Sequence, residues 1–549
     1  MKYTEKIYVL LWCCVCSVGL QGTWADPVLV SKNYCDATTG KISFNRSGLG
    51  FAVFSQATGL YDDGVPSPIM LSRYNNTLGT WSSQGMLEQL GQSIFGDADP
   101  KVAFDAQGNG LIVFARGNNE LSNSSIVALS YVDGKMQPIK FPSVLSEAYA
   151  IAPQLAMAPD GTAIVAWVVA NIDTYSCYIQ AAYYDGALHD WVKDGSGAII
   201  VKTIKDNIQF LDPYLPFVQL GMDNQHRALM VWSELSYDDL SLYTAAVRAV
   251  SYDGSDWASW NPGGPVQLSQ LNGYNPIIAM NGTGDALVVW AGTSKNQYPE
   301  LPLFTIQAVR YDAAAQDFVR QSGTIVIKNL QASVYPFYIA RPQAAIDPQG
   351  NCVIVWDDFP IINFPEIKAV QYNTTTDWIS WTPSLQTIRQ GYVLVPTVAM
   401  DLAGNAMSLW MEIIGPYGNL ILKASFYDAA VGAWGSSEFV VDDLVHDIGF
   451  YMSQDDWPFV TFDGAGKAYA MWTQSDGRVN RCNIATYSPT VVSKKSTVND
   501  HEFDLKLIKD KKKMRKHVQT SVKRHVISKR RKIHEFSANK KNFSSKVKE

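Results

Sequence analysis

Eight stretches of this chain share one order of polar and apolar positions. An alternating apolar run meets a short polar turn, and a second apolar run then ends in tryptophan or phenylalanine. These end residues are Phe54, Phe114, Trp167, Trp232, Trp290, Trp356, Trp410 and Trp472. Their spacings are 60, 53, 65, 58, 66, 54 and 62 residues. A unit recurring at this period marks a repeat architecture.

Counting back from each anchor gives every position a physical reason. Six residues before it stands glycine in seven units, with His226 in the other. Nine before it stand Asn45, Asp105, Ala158, Asp223, Asn281, Asp347, Asp401 and Asp463. Asp or Asn opens a tight turn by bonding its own backbone, and glycine supplies a left-handed residue that closes it. His226 in place of glycine predicts an altered turn in its unit. Proline stands fourteen before the anchor in six units, at Pro100, Pro153, Pro276, Pro342, Pro396 and Pro458. Proline suits the first residue of a strand, where no ladder donor is lost. Each unit therefore predicts a β-hairpin.

A second apolar strand follows, often ending in Tyr-Asp ahead of a tryptophan, as at Tyr252 before Trp257, Tyr372 before Trp378 and Tyr427 before Trp434. A further strand completes the unit, and no helical period intervenes. The prediction is an all-β, eight-bladed β-propeller of four-stranded antiparallel blades. The last unit lacks a fourth strand after Tyr487. Trp24 to Val30 resembles Trp257 to Leu268 and supplies it, so the N-terminal strand closes the ring and removes the exposed edges. The Pro-x-Val-Ala-x-Asp-x-x-Gly-Asn-Ala unit, as in Pro396 to Ala406, resembles the inner hairpin of NHL-type and related bacterial propeller repeats. It is longer than those repeats, and its second strand ends in tryptophan rather than an acidic residue. The resemblance implies a propeller and no named activity, and no functional residue is carried over from it.

The ends add two features. Lys2 and Lys6 precede an apolar run from Ile7 to Leu20, and Thr23-Trp24-Ala25 offers a cleavage site before Asp26. This reads as a secretory signal over 1–25, too short to span a membrane. The expected destination is secreted, periplasmic or the cell surface, with the propeller over 26–490 and a tail over 491–549. Residues 494–549 carry a net charge of +13, whereas the chain as a whole carries −6. Lys511, Lys512, Lys513, Arg515 and Lys516 form one basic cluster, and Lys529, Arg530, Arg531 and Lys532 another. Met514, Val518, Val522 and Val526 recur between them, so the tail is disordered alone or forms a basic helix against an anionic surface. Its possible partners are anionic lipid, nucleic acid or the acidic ring itself. Cys35, Cys177, Cys352 and Cys482 are too few for a disulfide scaffold. Cys352 occupies a small-residue position and is expected to be buried, while a Cys35–Cys482 bond would lie near the closure.

No Gly-x-Ser-x-Gly, His-Glu-x-x-His, phosphate loop or EF-hand loop occurs. The ring's three histidines, His189, His226 and His446, fall in separate units, so no metal and no cofactor is expected. Asn45, Asn75, Asn123, Asn281 and Asn373 begin Asn-x-Ser/Thr triplets, which matter only in a glycosylating cell. Loops carry function on a rigid scaffold. The links after strand two and before strand one share a face, and that face is acidic and aromatic. Its candidate ligand-binding residues are Tyr214, Glu234, Tyr274, Tyr335, Asp357, Asp358, Tyr392, Glu412 and Trp457; Tyr338 and Tyr451 lie with them. Three readings stand. The first is a monomeric, exported scaffold binding a protein or glycan on this face. The second is a glycoside hydrolase or lyase with carboxylates in the funnel. The third is a carrier for the polybasic tail.

Overall fold

The Asp-x-x-Gly turn folds as its side chains dictate. In the computed structural model of the chain, Asp347 Oδ1 accepts from the N–H groups of Gln349 at 2.9 Å and Asn351 at 2.8 Å. Asn351 Nδ2 donates to Asp347 Oδ2 at 2.7 Å, and its own Oδ1 accepts from Thr374 N–H in the next turn of the same unit. Asp401 and Asn405 repeat the pattern, with Ala429 in the place of Thr374. One acid therefore shapes the inner turn, and one amide ties it to the outer turn. Asn45 and Asn281 take the same turn role and are buried.

The structure describes residues 20–491 except 32–35, 39, 46, 58–66, 83–87, 91–95, 118–123, 133, 138–142, 147–148, 172–175, 210–217, 238–242, 255–263, 270–271, 294–303, 320–324, 331–340, 359–363, 377, 379–380, 415–418, 437, 441–456 and 476–478. These residues form eight antiparallel blades in a ring, with no helix among them. Blade 6 is the simplest: Gln343–Ile346, Cys352–Asp358, Glu366–Tyr372 and Gln386–Gln390 lie side by side in chain order. In other blades the fourth strand is split into two short pieces, as in blade 1 with Thr80–Trp81 and Glu88–Leu90. The closing blade takes Phe459–Phe462, Ala468–Ser475 and Asn480–Val491 from the C-terminal side. Leu20–Trp24 and Val28–Leu29 then complete it from the N-terminal side; the sequence implies closure by an N-terminal strand but begins that strand at Trp24.

Side chains on both faces of every sheet are buried, so the core is a set of layers between blades. Each anchor faces the preceding blade: Trp290 packs on Leu229, Val231 and Val247, and Trp356 on Leu287, Val289 and Ile306. The layer between blade 8 and blade 1, with Tyr469, Met471 and Ile484 against Phe54, Tyr74 and Trp81, makes the ring continuous. Cys177 and Cys352 are buried in such layers, as is Cys482; Cys35 lies outside the described residues.

Two expectations need correction. Pro342 and Pro458 do precede their strands, but Pro100, Pro153, Pro276 and Pro396 lie within theirs. There the register slips, and the residue just before each proline is left-handed: Asp99 at φ 52°, Ala152 at 53°, Asn275 at 50° and Val395 at 55°. A bulge frees the proline from the ladder as well as a strand start does. The turn at His226 is not altered either. His226 keeps φ 66°, in the region its glycine counterparts use.

The neighbour explains that exchange. A Cβ at Gly284 would sit 2.4 Å from Asp223 Oδ2 of the preceding blade, and one at Gly161 would sit 3.0 Å from Asp105 Oδ2. The blade before His226 carries Ala158 at the acidic position, which leaves room for a side chain. Across this seam His226 Nε2 lies 2.6 Å from Asp160 Oδ2. Burial raises the Asp160 carboxyl, but hydrogen bonds from Thr162 and the imidazole together hold it below its ordinary value. Gly284→Ala is therefore expected to cost more than the 1–2 kcal/mol typical of a left-handed alanine, because Asp223 must move. His226→Ala removes only a half-exposed pair and should cost below about 1 kcal/mol. Thermal melts of the two variants, ranked the other way, would contradict this account of the seam.

Candidate ligand-binding face

The face formed after strand two and before strand one is built on ion pairs, some within a blade and some joining neighbouring blades. In blade 7, Trp410 pairs with Lys423 across the ladder, and Glu412 lies two residues beyond the anchor. Glu412 accepts a fork from Arg389 of blade 6, with Nε at 3.0 Å and the second nitrogen at 2.6 Å. Lys423 Nζ approaches the same carboxylate at 3.4 Å. Blade 4 repeats the design: Trp232 pairs with Arg248, whose Nε donates to Glu234 at 2.9 Å, and Lys205 of blade 3 lies 4.0 Å away. In blade 2 the charges are exchanged. Arg116 occupies the position of Glu412 and forks onto buried Asp97 at 3.0 and 3.3 Å. Burial pushes the Asp97 carboxyl above its usual value, against the lowering pull of Arg116.

The remaining predicted acids are also placed by the scaffold. Asp357 is buried, and its Oδ2 accepts from the N–H of left-handed Val395 in blade 7 at 3.2 Å. It thus holds the neighbouring bulge. Asp358 is buried beside it. Glu366, which was not among the predicted acids, pairs with Lys368, whose Nζ also donates to Thr387 Oγ1 at 2.6 Å.

Among the predicted aromatics, Tyr392 stands out of the surface at 56% exposure, and beside it stands Phe364, which was not predicted, at 53%. Their rings meet edge to face with centroids 5.3 Å apart. Gly391 links this pair to Arg389, and a Cβ on it would stand 3.8 Å from Glu412 Oε1. Trp457 is half-buried, and the Arg341 guanidinium lies over its ring at 4.7 Å. Arg341 and Trp457 hold the same repeat position in blades 6 and 8, so their contact crosses blade 7 near the ring axis. Tyr274 is half-buried within the first strand of blade 5. Tyr214, Tyr335, Tyr338 and Tyr451 lie outside the described residues, as do Trp257, Asn123, His446 and the tail clusters.

The face therefore brings together Asp357, Asp358, Tyr392 and Glu412 at the blade 6–7 seam, while Glu234 lies apart in blade 4. Arg389, Lys423, Phe364 and Arg341 belong to the same rim and were not foreseen. A signal for two of the cations exists in the repeat: Arg248 and Lys423 each stand four residues before the strand-ending tyrosine, opposite an anchor followed by glutamate.

An eight-bladed β-propeller with a charge-clamped loop face is the class these residues define. No family model matches the chain, and no curated protein matches it. Solved structures with similar chain paths include a protein of unknown function from Dyadobacter fermentans, at 11% identity and a TM-score of 0.36 over 74% of this chain and 98% of that one. An ulvan lyase, a polysaccharide lyase, aligns at 10% identity and 0.42 over 73% and 96%. An α-L-arabinofuranosidase from Fusarium graminearum aligns at 12% identity and 0.34 over 61% and 93%. No residue role is carried over from them.

Proposed function

We propose that the protein is an exported binding scaffold that holds a glycan on its loop face, at the seam of blades 6 and 7. The observation that carries this is the exposed Phe364–Tyr392 pair beside a network of charged groups. Aromatic rings in this setting offer apolar faces for the C–H surface of a sugar, and Arg389, one third exposed, offers N–H donors at their edge. A binder is favoured over an acid–base enzyme because Glu234, Asp357 and Glu412 are each held by structural partners. A general acid or base needs a carboxyl that can exchange its proton with substrate.

Screening the protein against a glycan array, then titrating the best ligand, tests the reading. Phe364→Ala and Tyr392→Ala should each weaken that ligand about tenfold or more. Because both rings are exposed, the melting temperature should hold. Unchanged affinity in both variants would end the assignment to this seam. Turnover of the ligand that Glu412→Gln abolishes would replace the binder with the enzyme. The same titrations with a chain ending at Val491 separate the ring's affinity from any contribution of the basic tail.

A further inference from the structure

Trp24 occupies a position that the rest of the ring defines. In four other blades the tyrosine ending the third strand pairs directly with an aromatic residue in the fourth: Tyr74 with Trp81, Tyr184 with Trp191, Tyr311 with Phe318 and Tyr427 with Trp434. Their ring centroids lie 5.2, 5.2, 5.2 and 5.4 Å apart. In blade 8 the tyrosine is Tyr487, and its partner in the same register is Trp24 at 5.4 Å. Trp24 also packs against the layer between blades 7 and 8, which contains Leu422, Phe426 and Trp472.

The segment before Trp24 is fitted as well. Leu20 to Trp24 pair rung by rung with Val491 to Tyr487. A Cβ at Gly22 would fall 2.4 Å from Tyr487 Cζ and 2.6 Å from the Ser488 carbonyl oxygen. Only glycine lets this strand lie so close over the tyrosine.

From Gly19 to Asp26 the sequence holds two bonds with small residues at the positions a signal peptidase reads. One follows Ala25, with Thr23 two residues earlier; the other follows Gly19, with Ser17 two residues earlier. Cleavage after Ala25 would remove the whole Leu20–Trp24 strand and with it the fourth-strand aromatic that pairs with Tyr487. Cleavage after Gly19 removes the charged start and nearly all of the apolar run, and keeps every rung. We infer that the export leader ends at Gly19, and that the mature chain begins at Leu20 with Trp24 as the closing residue of the ring. Water hydrolyses the Gly19–Leu20 amide, giving a carboxylate on the leader and a new amine on Leu20. This rests on the export part of the proposed function.

The test is to produce the full chain from Met1 in a secreting host and to determine the intact mass and N-terminal residue of the exported protein. Leu20 as the first residue is the expected result. Asp26 as the first residue overturns the inference and leaves export standing. A chain retained in the cell with Met1 intact overturns export and the inference together. A second arm does not depend on export. Chains begun at Leu20, the same chain with Trp24→Ala, and chains begun at Asp26 are produced without a leader and melted side by side. The last two should melt about 3–6 °C below the first. Equal melting of the chains begun at Leu20 and Asp26 would show the strand to be dispensable and would remove the reason for sparing it.

Discussion

Trp290→Ala should lower stability by about 3–5 kcal/mol, read as a shift in the urea midpoint, while Trp290→Phe should cost less than about 1.5 kcal/mol. The indole is fully buried between blades 4 and 5. Truncation leaves a void that neighbouring sheets cannot fill, because each is fixed by its own ladder and by the blade beyond it. Phenylalanine fills most of that volume, and blades 1 and 2 already use Phe54 and Phe114 there. Among the described residues no protein group accepts from the Trp290 indole N–H, so the exchange removes a buried donor without breaking a bond to any of them. Trp167 should behave differently, because its Nε1 donates to Gln180 Oε1 at 3.2 Å. If Trp290→Phe proves as damaging as Trp290→Ala, the indole is doing something other than filling space.

Glu412→Ala should cost about 3 kcal/mol, because it removes the carboxylate that Arg389 and Lys423 share. Arg389 can turn toward water, being one third exposed, but the Lys423 side chain is only 8% exposed and cannot. Replacing Glu412 and Lys423 together with methionine removes both charges and should recover most of the loss, since apolar residues of similar volume commonly match a buried pair. Urea midpoints of the single and double variants decide between this account and one in which Glu412 is exposed and dispensable. A double variant as weak as the single one would show that the carboxylate serves Arg389 and the blade 6–7 seam more than it serves Lys423.

The ring was readable because its information is local and repeated. Asp401, Gly404, Asn405 and Trp410 lie within ten residues of one another, and each acts on a neighbour in that span or on the next blade. Closure was readable too, since Trp24 looks like a fourth-strand residue that has lost its blade. The site was less legible. Glu412 looks like a free acid in sequence, and its partner Arg389 comes from another blade, brought close only by the pitch between sheets. Asp357 also looks like a free acid, yet it is spent on a backbone N–H of a bulge that the proline pattern had suggested was a plain strand start. A repeat rule kept by glycine in seven of eight units predicted an altered turn at His226. The exception was absorbed by Ala158 in the blade before it, a compensation visible only when two units are compared side by side.

Closing a ring with its own first strand has a cost in time. Ser31 Oγ accepts from the Cys482 N–H across 451 positions of chain, and a ribosome adding 5–20 residues per second needs roughly 20–90 s to cover that span. For that interval the earliest segment to emerge must wait, with its ladder groups open and Trp24 bare. Slowing elongation should raise the yield of clumped or chaperone-held nascent chains, and supplying the first strand as a separate peptide should shorten the wait.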